Sequence, residues 1–180
     1  MIQKFAQVDE TWTLFLDRDG VINERIFGGY ILDYSDFHFK EAVLEQACTL
    51  FAKFARVIVV TNQQCVAKGL ISIKELEELH QQMKEDFERS GAKIAAVFAA
   101  IERKGEEPFM RKPHRKMADL AKEQFPEIDF SKSIMVGDTD GDIEFGKNLG
   151  MKTVLIKSEE KTSTKPDLVL TRLVDLIEWI

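Results

Sequence analysis

The sequence predicts one α/β domain over residues 1–180, three layers deep (α/β/α), with helices on both faces of a mainly parallel sheet. Three observations predict it. Strand-like and helix-like patterns alternate along the whole chain. The strand candidates are continuous apolar runs rather than alternating ones, which is what burial of both sheet faces demands. The residues directly after the strands are polar, and in such sheets ligands bind beyond the C-terminal strand ends, where strand order reverses. With 180 residues, 44% of them hydrophobic, there is enough apolar material for one core.

The first strand candidate lies in residues 12–23, WTLFLDRDGVIN. Apolar residues run into Asp17 and Asp19, with Arg18 between them and Gly20 behind. In an extended chain positions i and i+2 share a direction, so the two carboxylates point together and Arg18 points elsewhere. Alone, the segment reads equally well as a strand followed by a D-G turn. Residues 41–54 predict a helix with Leu44, Ala47, Cys48 and Phe51 on one face, which makes Cys48 a core residue. Residues 56–61 give a second strand. Residues 63–92 read as one helical segment, in which Ser72 and Glu75 form a capping box. Its stripe is Leu76, Leu79, Met83 and Phe87, with His80 packed beside it and Gly91 as the stop. Residues 93–101, 133–136, 152–156 and 168–170 supply four further strands. Helices are expected over 115–124, 139–148 and 172–180, the last aligning Leu173, Leu176, Ile177 and Ile180. Residues 157–165 read as an exposed connection.

The 25 basic and 31 acidic residues leave a formal charge of −6, which argues against general nucleic-acid binding. Lys4 and Phe5 lead into no hydrophobic run, and no long apolar stretch or lipidation motif follows, so a soluble cytoplasmic protein without a membrane partner is expected. Cys48 and Cys65 offer neither a disulfide framework nor a zinc pair.

Read at the strand ends alone, the chain presents Asp17 and Asp19 after the first strand, Thr61-Asn62-Gln63 after the second, and Gly137-Asp138 with Asp142 after the fourth. Arg111-Lys112-Pro113 lies in the connection after the third. Carboxylates are hard oxygen ligands suited to Mg²⁺, and a lysine and a threonine would hold the remaining oxygens of a phosphoryl group.

DRDGVIN, TNQ, RKP and VGDTDGD, in that order, resemble the four motifs of the haloacid dehalogenase (HAD) superfamily of aspartate-nucleophile phosphatases. With Gly28-Gly29-Tyr30 and His114, they resemble the branch that contains heptose bisphosphate and histidinol-phosphate phosphatases, over nearly the whole chain. The resemblance implies a Rossmann-like HAD fold and a Mg²⁺-dependent phosphatase of a small phosphorylated metabolite, best a sugar bisphosphate such as heptose 1,7-bisphosphate. By matching position, Asp17 is the nucleophile that forms an aspartyl-phosphate, and Asp19 is the general acid and then the base. Mg²⁺ is held by Asp17, the Asp19 carbonyl and Asp138. Thr61 and the Asn62 amide hold the phosphate, Lys112 neutralises charge, and Asp142 supports them while Asp140 starts a helix as an exposed acid. Arg18, Arg111 and Tyr30 are further candidates for binding substrate. Arg103, Lys104, Arg115 and Lys116 suggest a positive field beside Arg111, which would take a second phosphate; the alternative is a solvated charged loop, because Glu102, Glu106 and Glu107 interleave with them.

The chain departs from that family in two places. The zinc loop common in this branch is replaced by residues 102–110, ERKGEEPFM, so zinc is not expected, and Gln64-Cys65 stands where Ser-Gly is common. Residues 23–39 are too short for a helical cap and predict an open site with a flap over 25–36, on which Tyr30 and Tyr34 either face substrate or serve hydrophobic packing. Histidinol-phosphate phosphatase, nucleic-acid 3′-end phosphatase and a catalytically reduced regulatory module on this fold are the alternatives. Intact Asp17, Asp19, Lys112 and Asp138 speak against the last.

Overall fold

The computed structural model describes Phe5 and residues 8–180; Lys4 lies outside the described residues. Within the described residues six strands, β1 (Thr13–Leu16), β2 (Arg56–Asn62), β3 (Ala96–Ala100), β4 (Ser133–Gly137), β5 (Lys152–Ile156) and β6 (Leu168–Leu170), form one sheet of order 3-2-1-4-5-6. Every neighbouring pair is parallel. The uninterrupted apolar runs have a simple cause. Leu14, Leu16, Val57, Val59, Ile134 and Val136 fill the core on one face, and Phe15, Ile58, Val60 and Met135 fill the other. The side chains still alternate, but both destinations are buried.

Among the described residues four α-helices cover the two faces: α1 (Val43–Phe51), α2 (Ile73–Arg89), α3 (Lys116–Gln124) and α4 (Asp140–Asn148). Residues of α1 and α2 join the first core, and residues of α3 and α4 the second. Ser72 and Glu75 form the expected capping box, the Glu75 amide donating to Ser72 Oγ at 3.1 Å and the Ser72 amide to Glu75 Oε2 at 2.8 Å.

Three local expectations are corrected. The buried face of α1 is Val43, Ala47, Leu50 and Phe51, so the stripe is rotated from the one read in the sequence and Cys48 is exposed. Residues 63–72 are turns rather than helix; Gln63 turns inward, donating to Thr61 Oγ1 and Asp19 Oδ2, and Cys65 is buried beside it. The C-terminal segment Leu173–Glu178 is a 3-10 helix. The i, i+3 spacing of its buried Leu173 and Leu176 suits three residues per turn.

The chain winds outward from β1 through β2 to β3, then crosses back to place β4 on the other side of β1. Strand order therefore reverses beside β1, whose Leu16 pairs with Val59 and Val136. That opens a crevice at the point where Asp17 emerges. Between β1 and α1 the described chain forms a single 3-10 turn, Tyr34–Asp36, which is no helical cap.

Candidate active site

Asp17 leaves β1 with its amide bonded to the Val136 carbonyl at 2.9 Å. Its Oδ1 accepts from the Arg18 amide and lies 2.8 Å from Lys112 Nζ. The chain then turns sharply. Gly20 has φ +89°, and a Cβ there would stand 2.3 Å from Asp138 Oδ2, so only glycine lets β1 and β4 bring these carboxylates together. At the end of β4 a Cβ on Gly137 would meet Asp142 Cβ at 2.0 Å.

Asp17, Asp138 and Asp142 each offer an oxygen within 4.8 Å of the others. They are not equivalent. Asp142 Oδ2 accepts from the Asp138 amide and from the amide and hydroxyl of Thr139, and its Oδ1 lies 2.6 Å from Lys112 Nζ. Asp142 is thus spent on capping α4 and holding the lysine. Asp138 Oδ1 is buried with no partner among the described residues. A buried carboxylate oxygen left bare is costly, and a divalent cation beside Asp17 would satisfy it. The carboxylates of Asp17 and Asp138 are therefore a donor set that fits a hard cation.

Lys112 is nearly inaccessible, and its ammonium also donates to the Val60 carbonyl at 2.7 Å. Burial works against its charge, and Asp142 and Asp17 outweigh burial, so its pKa is raised. Asn62 fixes this residue from β2, its Oδ1 accepting from the Lys112 amide at 3.0 Å.

Asp19 lines the same cleft as Asp17, as its i+2 spacing predicts. Burial pushes its carboxyl up, but the Arg18 charge and hydrogen bonds from Asn23 and Gln63 prevail and lower it. Arg18, expected on the substrate side, is placed elsewhere: its side chain is wholly buried and forks onto Asp19 at 2.9 and 3.0 Å. The reason is direction. The residue between two outward carboxylates turns into the fold, where Asp19 and His80 receive it.

Thr61, Asn62, Tyr30, Arg111 and Lys112 all line one open cleft of about 730 Å³ with Asp17 and Asp19. The Tyr30 hydroxyl accepts from Gln64 and Lys68. Tyr34 does not face the cleft: it stacks on Phe37 and bonds Asp86. The expected positive field is also corrected. Arg115 is exposed and paired with Asp119, and Glu102, Glu106, Asp140, Glu144 and Glu160 line the cleft alongside Lys104 and Arg111. Asp140 is half-buried rather than free, and it receives the Ser163 and Thr164 amides of the 157–165 connection.

Two residues escaped the sequence reading. Arg25 reaches Asp138 Oδ2 at 3.2 Å and Glu160 at 3.5 Å. Glu102, buried at the end of β3, accepts from the Arg111 amide at 2.7 Å and so pins the 102–111 loop. Neither lies in a recognisable motif.

Burial and the Asp142 charge raise Asp138; burial raises Asp17 against the pull of Lys112, with Asp142 and Asp138 adding to the rise. Their folded pKa values exceed the unfolded ones, so the folded form binds more protons between about pH 4 and neutrality, and stability falls as pH rises through that window. In EDTA the melting temperature should drop between pH 5 and pH 8, and saturating Mg²⁺ should flatten or reverse the slope. A melting temperature in EDTA that climbs over that range would contradict the crowding of these carboxylates.

Residues 109–176 match the HAD-hydrolase-like family. The chain is 32% identical over 152 residues to the D-glycero-alpha-D-manno-heptose-1,7-bisphosphate 7-phosphatase of Campylobacter jejuni, covering 84% of this chain and 86% of that protein. It is also 31% identical over 172 residues to the corresponding beta-anomer enzyme of Vibrio cholerae, covering 91% of each. The crystal structure of D,D-heptose 1,7-bisphosphate phosphatase from B. bronchiseptica, complexed with magnesium and phosphate, shares the fold. Its TM-score is 0.84 at 23% identity, over 93% of this chain and 96% of that one.

Proposed function

This chain belongs to the HAD-like phosphatases, and on that premise we propose that it hydrolyses a sugar bisphosphate, with D-glycero-D-manno-heptose 1,7-bisphosphate as the foremost candidate. The observation that carries the substrate class is the presence of two differently employed cations in one cleft. Lys112 is committed to Asp17, while Arg111 lines the same cleft with Nη1 unpartnered among the described residues. One serves the reacting phosphate and the other the distant one.

Asp17 attacks phosphorus, and the leaving oxygen departs with a proton from Asp19. Asp19 then takes a proton from water, which attacks the aspartyl-phosphate and frees inorganic phosphate. In the free protein Asp19 is held ionised. A phosphoryl dianion arriving beside it opposes that charge and draws a proton onto the carboxylate. Thr61 Oγ1 accepts from Gln63 at 2.8 Å, which leaves its hydroxyl hydrogen to donate to a phosphoryl oxygen. The Asn62 side chain is occupied with Lys112, so its backbone amide serves the phosphate. Asp17, the Asp19 carbonyl and Asp138 would hold Mg²⁺, which when bound offsets repulsion between nucleophile and phosphate.

Phosphate release tests this directly. The kcat/KM for a heptose 1,7-bisphosphate, with each anomer assayed separately, should exceed those for sugar monophosphates, histidinol phosphate and a 3′-phosphorylated oligonucleotide. A higher value for either of the last two overturns the substrate class. Arg111→Ala should raise KM for the bisphosphate about tenfold and leave KM for a monophosphate nearly unchanged, the mark of binding lost at the non-reacting end.

A further inference from the structure

The wholly buried guanidinium of Arg18 is used on every side. Nε and Nη2 donate to Asp19 at 3.1, 2.9 and 3.0 Å, while Nη1 stands 3.0 Å from Nε2 of His80, a residue 62 positions away on α2. An arginine cannot accept a hydrogen bond and does not lose its proton in a protein. The imidazole must therefore be the acceptor, neutral, with its own proton on Nδ1. Burial first, then the Arg18 charge, hold the His80 pKa down to about 3, so the ring keeps this state at any working pH.

The opposite edge of the guanidinium carries both oxygens of Asp19, so whatever fixes Arg18 also fixes the carboxylate plane. On its flank the Phe37 ring lies 5.9 Å from Arg18 Cζ, and Asn23 and Gln63 complete the hold on Asp19 at 2.9 and 2.8 Å. Without an acceptor at His80, Nη1 would be a buried donor left bare, and the planar fork would turn to find another partner, taking Asp19 with it.

We propose that His80 is a positioning residue for Asp19, acting through Arg18: its Nε2 lone pair locks the guanidinium that aims the acid-base carboxylate at the leaving oxygen. This rests on the assignment of Asp19 as acid and base.

Two amides separate this role from simple packing. In His80→Gln the amide oxygen can reach the place of Nε2, whereas in His80→Asn it reaches only the place of Nδ1. With the sugar bisphosphate and Mg²⁺, His80→Gln should keep kcat within about threefold of the parent. His80→Asn should lose about 10- to 100-fold in kcat, the scale of a lost supporting hydrogen bond, with KM and calorimetric Mg²⁺ affinity unchanged. Equal kcat in the two variants, or a loss confined to KM, overturns the positioning role. Nitrogen NMR of the parent protein gives an independent reading that needs no variant: a proton on Nδ1 of His80 supports the role, and a proton on Nε2 overturns it. Asp19→Asn separates the two levels. If it retains full kcat, the acid-base assignment and the positioning role fall together. If it is inactive while the two His80 variants match, only the positioning role falls.

Discussion

Asp17→Asn should abolish phosphate release, by on the order of 10⁴-fold or more, in a protein that folds as well as the parent. An amide cannot form the aspartyl-phosphate, and it removes one of the two carboxylates placed to hold the cation. The fold should tolerate the change because Asp17 is a burden in the metal-free protein: burial and its carboxylate neighbours raise its pKa. Lys112, its counter-charge, keeps Asp142 at 2.6 Å and the Val60 carbonyl at 2.7 Å. Thermal unfolding in EDTA should show an unchanged or higher melting temperature near pH 8, and the stabilisation by Mg²⁺ seen in the parent should shrink. Phosphate release within tenfold of the parent would remove Asp17 from the chemistry.

Lys112→Met should act on both activity and fold. Among the described residues its ammonium is the one positive group paired with both Asp17 and Asp142, which are nearly inaccessible. Removing one partner of a buried ion pair leaves charge uncompensated, at a cost of about 3 to 5 kcal/mol. Acidification protonates the stranded Asp17, whose pKa burial already raises, so the loss should be largest at pH 8 and smaller near pH 5, and turnover should fall with it because charge on the transferring phosphate loses its fixed counter-ion. Chemical denaturation at the two pH values checks this. Equal stability of the variant and parent at pH 8 would mean that Lys112 is not the electrostatic centre of the site.

Much of this architecture was legible because its signals are local. Runs such as RVIVVT mark strands buried on two faces, and the polar residues after them mark the rim. The i+2 relation placed Asp17 and Asp19 in the same cleft. Side-chain direction away from regular elements was not legible. Tyr34 looked like a rim residue, but the fold supplies Asp86 as its partner; the i+2 relation turned Arg18 away from the two carboxylates' direction, yet its place against His80 depended on the fold. Cys48 fell on the wrong side because a shift in which positions of α1 face inward rotates the stripe away from it. Arg25 and Glu102 are lone charged residues in or beside connections, where neither periodicity nor a turn preference distinguishes a tether from a solvated side chain; their roles depend on Asp138 and Arg111, far along the chain or across a loop. The basic residues near Arg111 suggested a field, but Glu102 and Glu106 of the same connection and Asp140, Glu144 and Glu160 from elsewhere in the chain share the cleft.

The most direct test of the central claim is to trap the covalent intermediate. The protein is mixed with Mg²⁺ and a radiolabelled sugar bisphosphate, quenched in acid within the first turnover, reduced with borohydride at the acyl-phosphate and mapped by peptide mass. The account predicts a single modified residue, Asp17, with more trapped phosphoenzyme in Asp19→Asn if dephosphorylation becomes the slow step. Modification at any other residue, or phosphate release with no acid-stable protein-bound label at any quench time, would contradict it.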